Sequence, residues 1–217
     1  MHRIVNNLEE IKAKINQLKP DLQEKIKIIA VSKTFLIKDI EPLIEYGHQD
    51  FGENKVQEAI DKWTDIKNIN HKIKLHLIGR LQTNKVKFAL KIFDYIHSLD
   101  SEKLANKIAE EQVKQKKKPK ILIQVNIGNE EQKSGITKEK LDDFYKFCKN
   151  LNLDIIGTMC IPPNDNNTEK YFSEMNNINQ ELNFKESSMG MSGDYLEAIK
   201  NNATYVRIGS KIFGNRA

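Results

Sequence analysis

The chain has 217 residues, 35 of them Lys or Arg against 30 Asp or Glu, for a net charge of +5 and a pI near 9.0. That length suits one parallel α/β domain; no run of about 18 apolar residues is long enough for a bilayer, and the opening stretch from Met1 to Asn7 lacks the apolar core of a secretory leader. Arginine appears only at positions 3, 80, 207 and 216 and the lysines are spread along helical faces, so the basic excess reads as solvated surface and argues against a nucleic-acid partner.

Ile4, Leu8, Ile11, Ile15 and Leu18 recur every three or four residues and predict an opening helix that stops near Pro20. Short β-rich runs follow at 28–32, 50–52, 75–79, 95–98, 121–126, 155–159, 188–190 and 205–208, each separated from the next by a longer stretch. Asp100 or Ser101 is placed to cap a helix with Leu104 and Ile108 inside, and Lys116, Lys117 and Lys118 end it, where cations favour the helix dipole. Thr137 is placed to cap another, with Leu141, Phe144, Tyr145 and Cys148 on one side, which makes Cys148 a small core residue and not a reactive thiol. A polar loop at 162–167 follows the sixth strand, and Tyr171, Phe172, Met175, Ile178 and Leu182 mark the next helix. Cys148 and Cys160 make neither a metal motif nor a disulfide framework, and the expected location is cytoplasmic.

Eight strands alternating with helices imply parallel pairing through right-handed crossovers, in an open sheet or a closed barrel. Eight repeats, and no Gly-x-Gly-x-x-Gly after the first strand, favour the barrel. The expected fold is a single-domain (β/α)8 TIM-like barrel over residues 1–217, with an extra N-terminal helix.

In such barrels the functional groups sit at the carboxyl ends of the strands. Lys33 follows a strongly apolar strand, so its amine is expected to open into the barrel mouth, where low polarity disfavours the ammonium and frees a nucleophile toward carbonyls. The loops after the seventh and eighth strands, 189–194 and 209–214, carry glycines with Ser192 and Ser210, a pattern suited to cradling a phosphate. Arg207 lies among apolar residues and needs a partner, either a carboxylate such as Glu53 or Asp100 or the ring nitrogen of a ligand. Together these features suggest a phosphorylated aldehyde held as an imine, and a Schiff-base aldolase also fits the first two.

Several segments are then familiar. Ala-Val-Ser-Lys at 30–33, Phe-Gly-Glu-Asn-Lys-Val-Gln-Glu at 51–58, His-Leu-Ile-Gly-Arg-Leu-Gln-Thr-Asn-Lys at 76–85, Gln-Val-Asn at 124–126, Ser-Met-Gly-Met-Ser at 188–192 and Val-Arg-Ile-Gly-Ser-Lys-Ile-Phe-Gly at 206–214 resemble the YggS/PROSC family of pyridoxal 5′-phosphate (PLP) homeostasis proteins, in family order across the chain. The resemblance implies an alanine-racemase-like PLP barrel lacking the racemase's second domain. It implies that Lys33 forms the internal aldimine, that Ser192, Gly209 and Ser210 hold the phosphate, and that Arg207 faces the pyridine nitrogen. Asn54 and His76 would line the same cavity, and Lys85 and Lys133 correspond to lysines that are candidates for handling cofactor in transit. Gly128-Asn129 departs from the small residues more usual there and touches no expected cofactor contact. A monomeric PLP carrier is expected, with PLP-dependent apo-enzymes as partners and without amino-acid turnover, because the tyrosine that racemases supply from their second domain has no evident replacement before Ala217. A free-standing amino-acid racemase is the alternative.

Overall fold

The structure, a computed structural model, describes residues 2–214. Its strands are β1 (Lys27–Val31), β2 (Asp50–Glu53), β3 (Lys74–Leu77), β4 (Tyr95–Leu99), β5 (Lys120–Val125), β6 (Asp154–Cys160), β7 (Glu186–Met191) and β8 (Tyr205–Ile208). They close into a barrel in sequence order, every neighbour parallel, and β8 returns to β1 with Ile29 opposite Arg207 and Ala30 opposite Ile208. Runs such as Ile121-Leu122-Ile123 are apolar without alternation because one face meets helices and the other meets the barrel interior.

Around the barrel run α1 (Arg3–Leu18), α2 (Ile37–Glu45), α3 (Val56–Ile69), α4 (Val86–Ile92), α5 (Glu102–Gln115), α6 (Leu141–Asn150), α7 (Thr168–Glu181), α8 (Tyr195–Lys200) and α9 (Ser210–Phe213). The expected barrel and its extra first helix are both present. None of the described helices is long and apolar enough to cross a membrane. Helix α1 buries Ile4, Val5, Leu8, Ile11 and Ile15, and it is stitched to the last helix: Asn7 Nδ2 donates to the Ile212 carbonyl at 2.8 Å and Arg3 Nη2 to that of Phe213 at 3.3 Å.

The helix boundaries differ from the sequence reading in detail. Ser101 precedes α5, but its side chain makes no capping bond, and α5 ends at Lys116 in the left-handed region, φ 51°. The next two lysines are bound to neighbours, Lys117 Nζ donating to the Lys91 carbonyl and Lys118 Nζ to Asn152 Oδ1, each at 2.8 Å. Thr137 precedes a 3-10 turn over Lys138–Lys140, so α6 proper starts later than the cap position suggests. Cys148 is fully buried and its thiol is pushed up to about 12 by burial, which leaves it inert at neutral pH.

The main apolar core lies between strands and helices. A second, small cluster of Ile29, Tyr95, Tyr205 and Ile156 lies inside the barrel. Tyr95 on β4 and Tyr205 on β8 come from opposite walls, and their ring centroids are 5.9 Å apart, a contact that only the barrel interior allows.

Candidate functional site

At the carboxyl ends of the strands is a cavity of about 510 Å3, bordered by Lys33, Asn54, Ser192, Arg207, Gly209 and Ser210, with Phe35, Ile78 and Ile161 as apolar wall. Six of the seven residues singled out in the sequence therefore meet in one place. Lys85 and Lys133 do not border it; Lys133 Nζ donates to the Pro162 carbonyl at 3.3 Å and pairs with Glu130.

Lys33 is half-buried in the turn that leaves β1. Two carboxylates from α3 and β2 shape that turn. Glu53, fully buried, accepts the Ser32 hydroxyl at 2.7 Å and Trp63 Nε1 at 3.0 Å. Lys62 Nζ donates to Glu53, to Glu58 and to the Ser32 carbonyl, each at 3.0 Å. Glu58 also accepts the Thr34 backbone N–H. Burial opposes ionisation of Glu58, but that N–H and Lys62 hold its carboxyl below the usual range. Thr34 itself adopts φ 69°, a region that β-branched residues rarely enter, so the turn presenting Lys33 is strained and held by its surroundings.

Across the β1–β8 seam, the loops after β7 and β8 are joined by one hydroxyl. Ser192 Oγ accepts the backbone N–H groups of Gly209 at 3.3 Å and Lys211 at 3.4 Å. Two main-chain donors thus converge on a single oxygen beside the cavity. Asn54 is held from behind by Gly79, where an added Cβ would stand 2.4 Å from the Asn54 carbonyl oxygen.

Arg207 is 4% exposed, and burial draws its guanidinium pKa downward. Its partners are neutral: Nη1 donates to Ser188 Oγ at 2.7 Å and Nη2 to the Cys160 carbonyl at 2.9 Å. The carboxylates considered from the sequence are not its partners, since Glu53 is taken by Ser32, Trp63 and Lys62, and Arg207 pairs with no carboxylate among the described residues. A buried cation with neutral partners retains capacity to donate to a ligand.

His76 is the second correction. It does not border the cavity but lies fully buried inside the barrel, stacked on Tyr95 at 4.2 Å, with Nε2 against Asp50 Oδ1 and Nδ1 against His97 Nε2. Burial lowers its pKa and lowers that of His97 further. Sequence reasoning passed over His97 and Ser188 as interacting groups; the available signal was a polar side chain within an otherwise apolar strand.

A larger cavity of about 850 Å3 opens at the other end of the barrel, among Lys67, Lys74, Lys91, Lys117, Lys118 and Lys120. Lys67 there is engaged by Asp94 and the Ile92 carbonyl, and the cavity has neither glycine loops nor a buried arginine. The smaller cavity is the candidate site: an amine, converging main-chain donors and a guanidinium border a space of the size that small ligands fill.

The sequence model of the family described as "Alanine racemase, N-terminal domain" matches residues 6–217. The chain is 39% identical over 205 residues to the pyridoxal phosphate homeostasis protein of Synechocystis sp., covering 90% of this chain and 94% of that one. It is 37% identical over 200 residues to the protein of the same name from Aquifex aeolicus, covering 88% and 87%. Among solved structures, PipY of Synechococcus elongatus with PLP bound superimposes with a TM-score of 0.82 at 30% identity, over 94% of this chain and all of that one.

Proposed function

The chain belongs to the pyridoxal phosphate homeostasis protein family, built on the alanine racemase N-terminal domain, and from that premise we propose that it binds PLP in the barrel mouth through Lys33 and acts in intracellular PLP homeostasis, passing cofactor to PLP-dependent apo-enzymes without turning over an amino acid. The observation that carries this reading is the meeting of Lys33, Arg207 and the Ser192–Gly209 bridge around one cavity.

The residues fit the cofactor. Gly209 and Lys211 direct their N–H groups at one oxygen over distances long enough that an anionic oxygen would be the better acceptor. Arg207 has no carboxylate to satisfy it among the described residues, as a site awaiting an aromatic nitrogen requires. Bound PLP supplies an aldehyde that joins covalently to an amine and a ring that can draw in electrons. In this reading Lys33 offers the amine, Ser192, Gly209 and Ser210 orient the phosphate, and Asn54 lies beside the ring. Arg207 is charged and has no acceptor lone pair, so it opposes protonation of a nitrogen it faces and weakens the ring as an electron sink. That disfavours transamination and other chemistry that needs a strong electron sink.

Absorption spectra before and after borohydride reduction, followed by mapping of the modified peptide, test the proposal. Lys33 should carry the label, and Lys33→Ala should lose the visible band while its far-UV circular dichroism is retained. A reduced label on another residue, or one that survives in Lys33→Ala, would refute the assignment. The match to the racemase domain favours a free-standing racemase as the second reading; polarimetry with L- and D-amino acids decides between them, because sustained interconversion belongs only to the enzyme. We also propose a monomer, which sedimentation measures directly.

A further inference from the structure

Five side chains from five strands form one continuous hydrogen-bonded line through the barrel. Arg207 Nη1 meets Ser188 Oγ at 2.7 Å, Ser188 Oγ meets His97 Nδ1 at 2.9 Å, His97 Nε2 meets His76 Nδ1 at 3.0 Å, and His76 Nε2 meets Asp50 Oδ1 at 2.9 Å. Ser188, His76 and His97 are each 0% exposed, whereas the Asp50 side chain is 22% exposed and borders a separate cavity with Lys27 and His48. The line therefore runs from the cofactor cavity at one end of the barrel toward solvent at the other.

With both imidazoles neutral, its two ends determine the direction of every bond between them. Arg207 can only donate, so Ser188 Oγ accepts and has one proton to give to His97 Nδ1. With Nδ1 accepting, a neutral His97 carries its proton on Nε2 and gives it to His76 Nδ1. His76 in turn carries its proton on Nε2 and gives it to the Asp50 carboxylate. Each proton along the line has an acceptor, and both imidazoles are neutral. Were both rings cationic, two N–H groups would face each other between His76 Nδ1 and His97 Nε2; were His76 alone cationic, His97 would donate from Nδ1, and the Ser188 oxygen would receive two donors while its own proton had no acceptor along this line. Desolvation in the barrel argues the same way, against charge on either ring.

We propose that Ser188, His97, His76 and Asp50 are positioning residues for Arg207: a directional hydrogen-bond chain that orients the guanidinium at the cofactor cavity and ties it to a carboxylate at the far end of the barrel. Only the last step, the effect on bound cofactor, rests on the reading that Arg207 faces PLP.

Long-range 1H–15N spectra of the cofactor-free protein test the chain by itself. Both imidazoles should be neutral at pH 7 with the proton on Nε2; a cationic ring, or a proton on Nδ1 of either, overturns the proposal. Asp50→Asn keeps an acceptor but removes the charge, and it should shift the Nε2–H resonance of His97 as well as that of His76. A shift confined to His76 shows that the line does not transmit and also overturns it. With PLP added, Ser188→Ala should weaken binding about tenfold, the size of one charge-assisted hydrogen bond, and move the absorption band in the direction Arg207→Gln moves it. If Arg207→Gln has these effects and Ser188→Ala has neither, the positioning role is wrong. If neither variant alters binding or spectrum while the imidazole signals are as expected, the cofactor placement fails and the chain stands. Thermal melts check that Ser188→Ala folds; should it not, Asp50→Asn, at the accessible end, carries the spectral comparison.

Discussion

Thr34 shows at a single residue how the Lys33 turn is held. Its φ of 69° costs a β-branched side chain roughly 1–2 kcal/mol, a strain offset by Glu58, Glu53 and Lys62 gripping the residues around it. Asn tolerates that region better, so Thr34→Asn should stabilise the fold by about 1 kcal/mol, read as a higher urea midpoint; an unchanged midpoint would mean the conformation costs nothing. Lys33, Ser192, Gly209 and Ser210 were legible in the sequence because strand ends and glycine turns are local patterns. The partners of Arg207 were not, since Ser188 and the Cys160 carbonyl lie 19 and 47 residues away and meet it only once β6, β7 and β8 lie side by side. His76 was misplaced for a related reason: it lies on an inward-facing strand position, and the sequence does not say at which depth of the barrel that position falls.

Among the elements, the β7–α8 connection depends on close approach. Gly190 sits at φ 88°, and a Cβ there would stand 2.5 Å from the Ala198 Cβ and 3.0 Å from the Tyr195 Cα. Strain and overlap act together, so Gly190→Ala should cost about 2–4 kcal/mol, measurable as a lowered urea midpoint, and it should loosen the loop bearing Ser192. Strand order could be read completely, because apolar runs of strand length are separated by longer stretches, whereas α2, α3 and α4 were not placed individually. Helix starts were less legible. The 3-10 turn over Lys138–Lys140 delays α6, and Ser101 stands before α5 without capping it, both matters of side-chain geometry that residue type alone does not express.

Three histidines, His76 and His97 fully buried and His48 half-buried, set a property of the whole molecule. His48, His76 and His97 all have pKa values lowered from 6.5, with burial the largest cause. Unfolded, they take up protons near 6.5; folded, they do so only at lower pH. The unfolded state therefore binds more protons below about 6.5, and stability is lost as pH falls through that window, by at most about 1.4 kcal/mol per pH unit for each group. Chemical denaturation at pH 7.5 and 5.5 should give a clearly lower midpoint at the acid value, and Tyr205 and Tyr95, packed against these rings, offer a fluorescence probe of the same transition. A flat profile would contradict neutral imidazoles in the folded barrel.

The seam between β1 and β8, with α1 bound to α9, has a further consequence for how the protein is made. Lys33 is translated with the first strand, whereas Arg207, Gly209 and Ser210 come with and just after the eighth. The opening segments must wait, unpaired along one edge, until the closing ones arrive. A nascent chain thus has no closed barrel mouth until its eighth strand has been made.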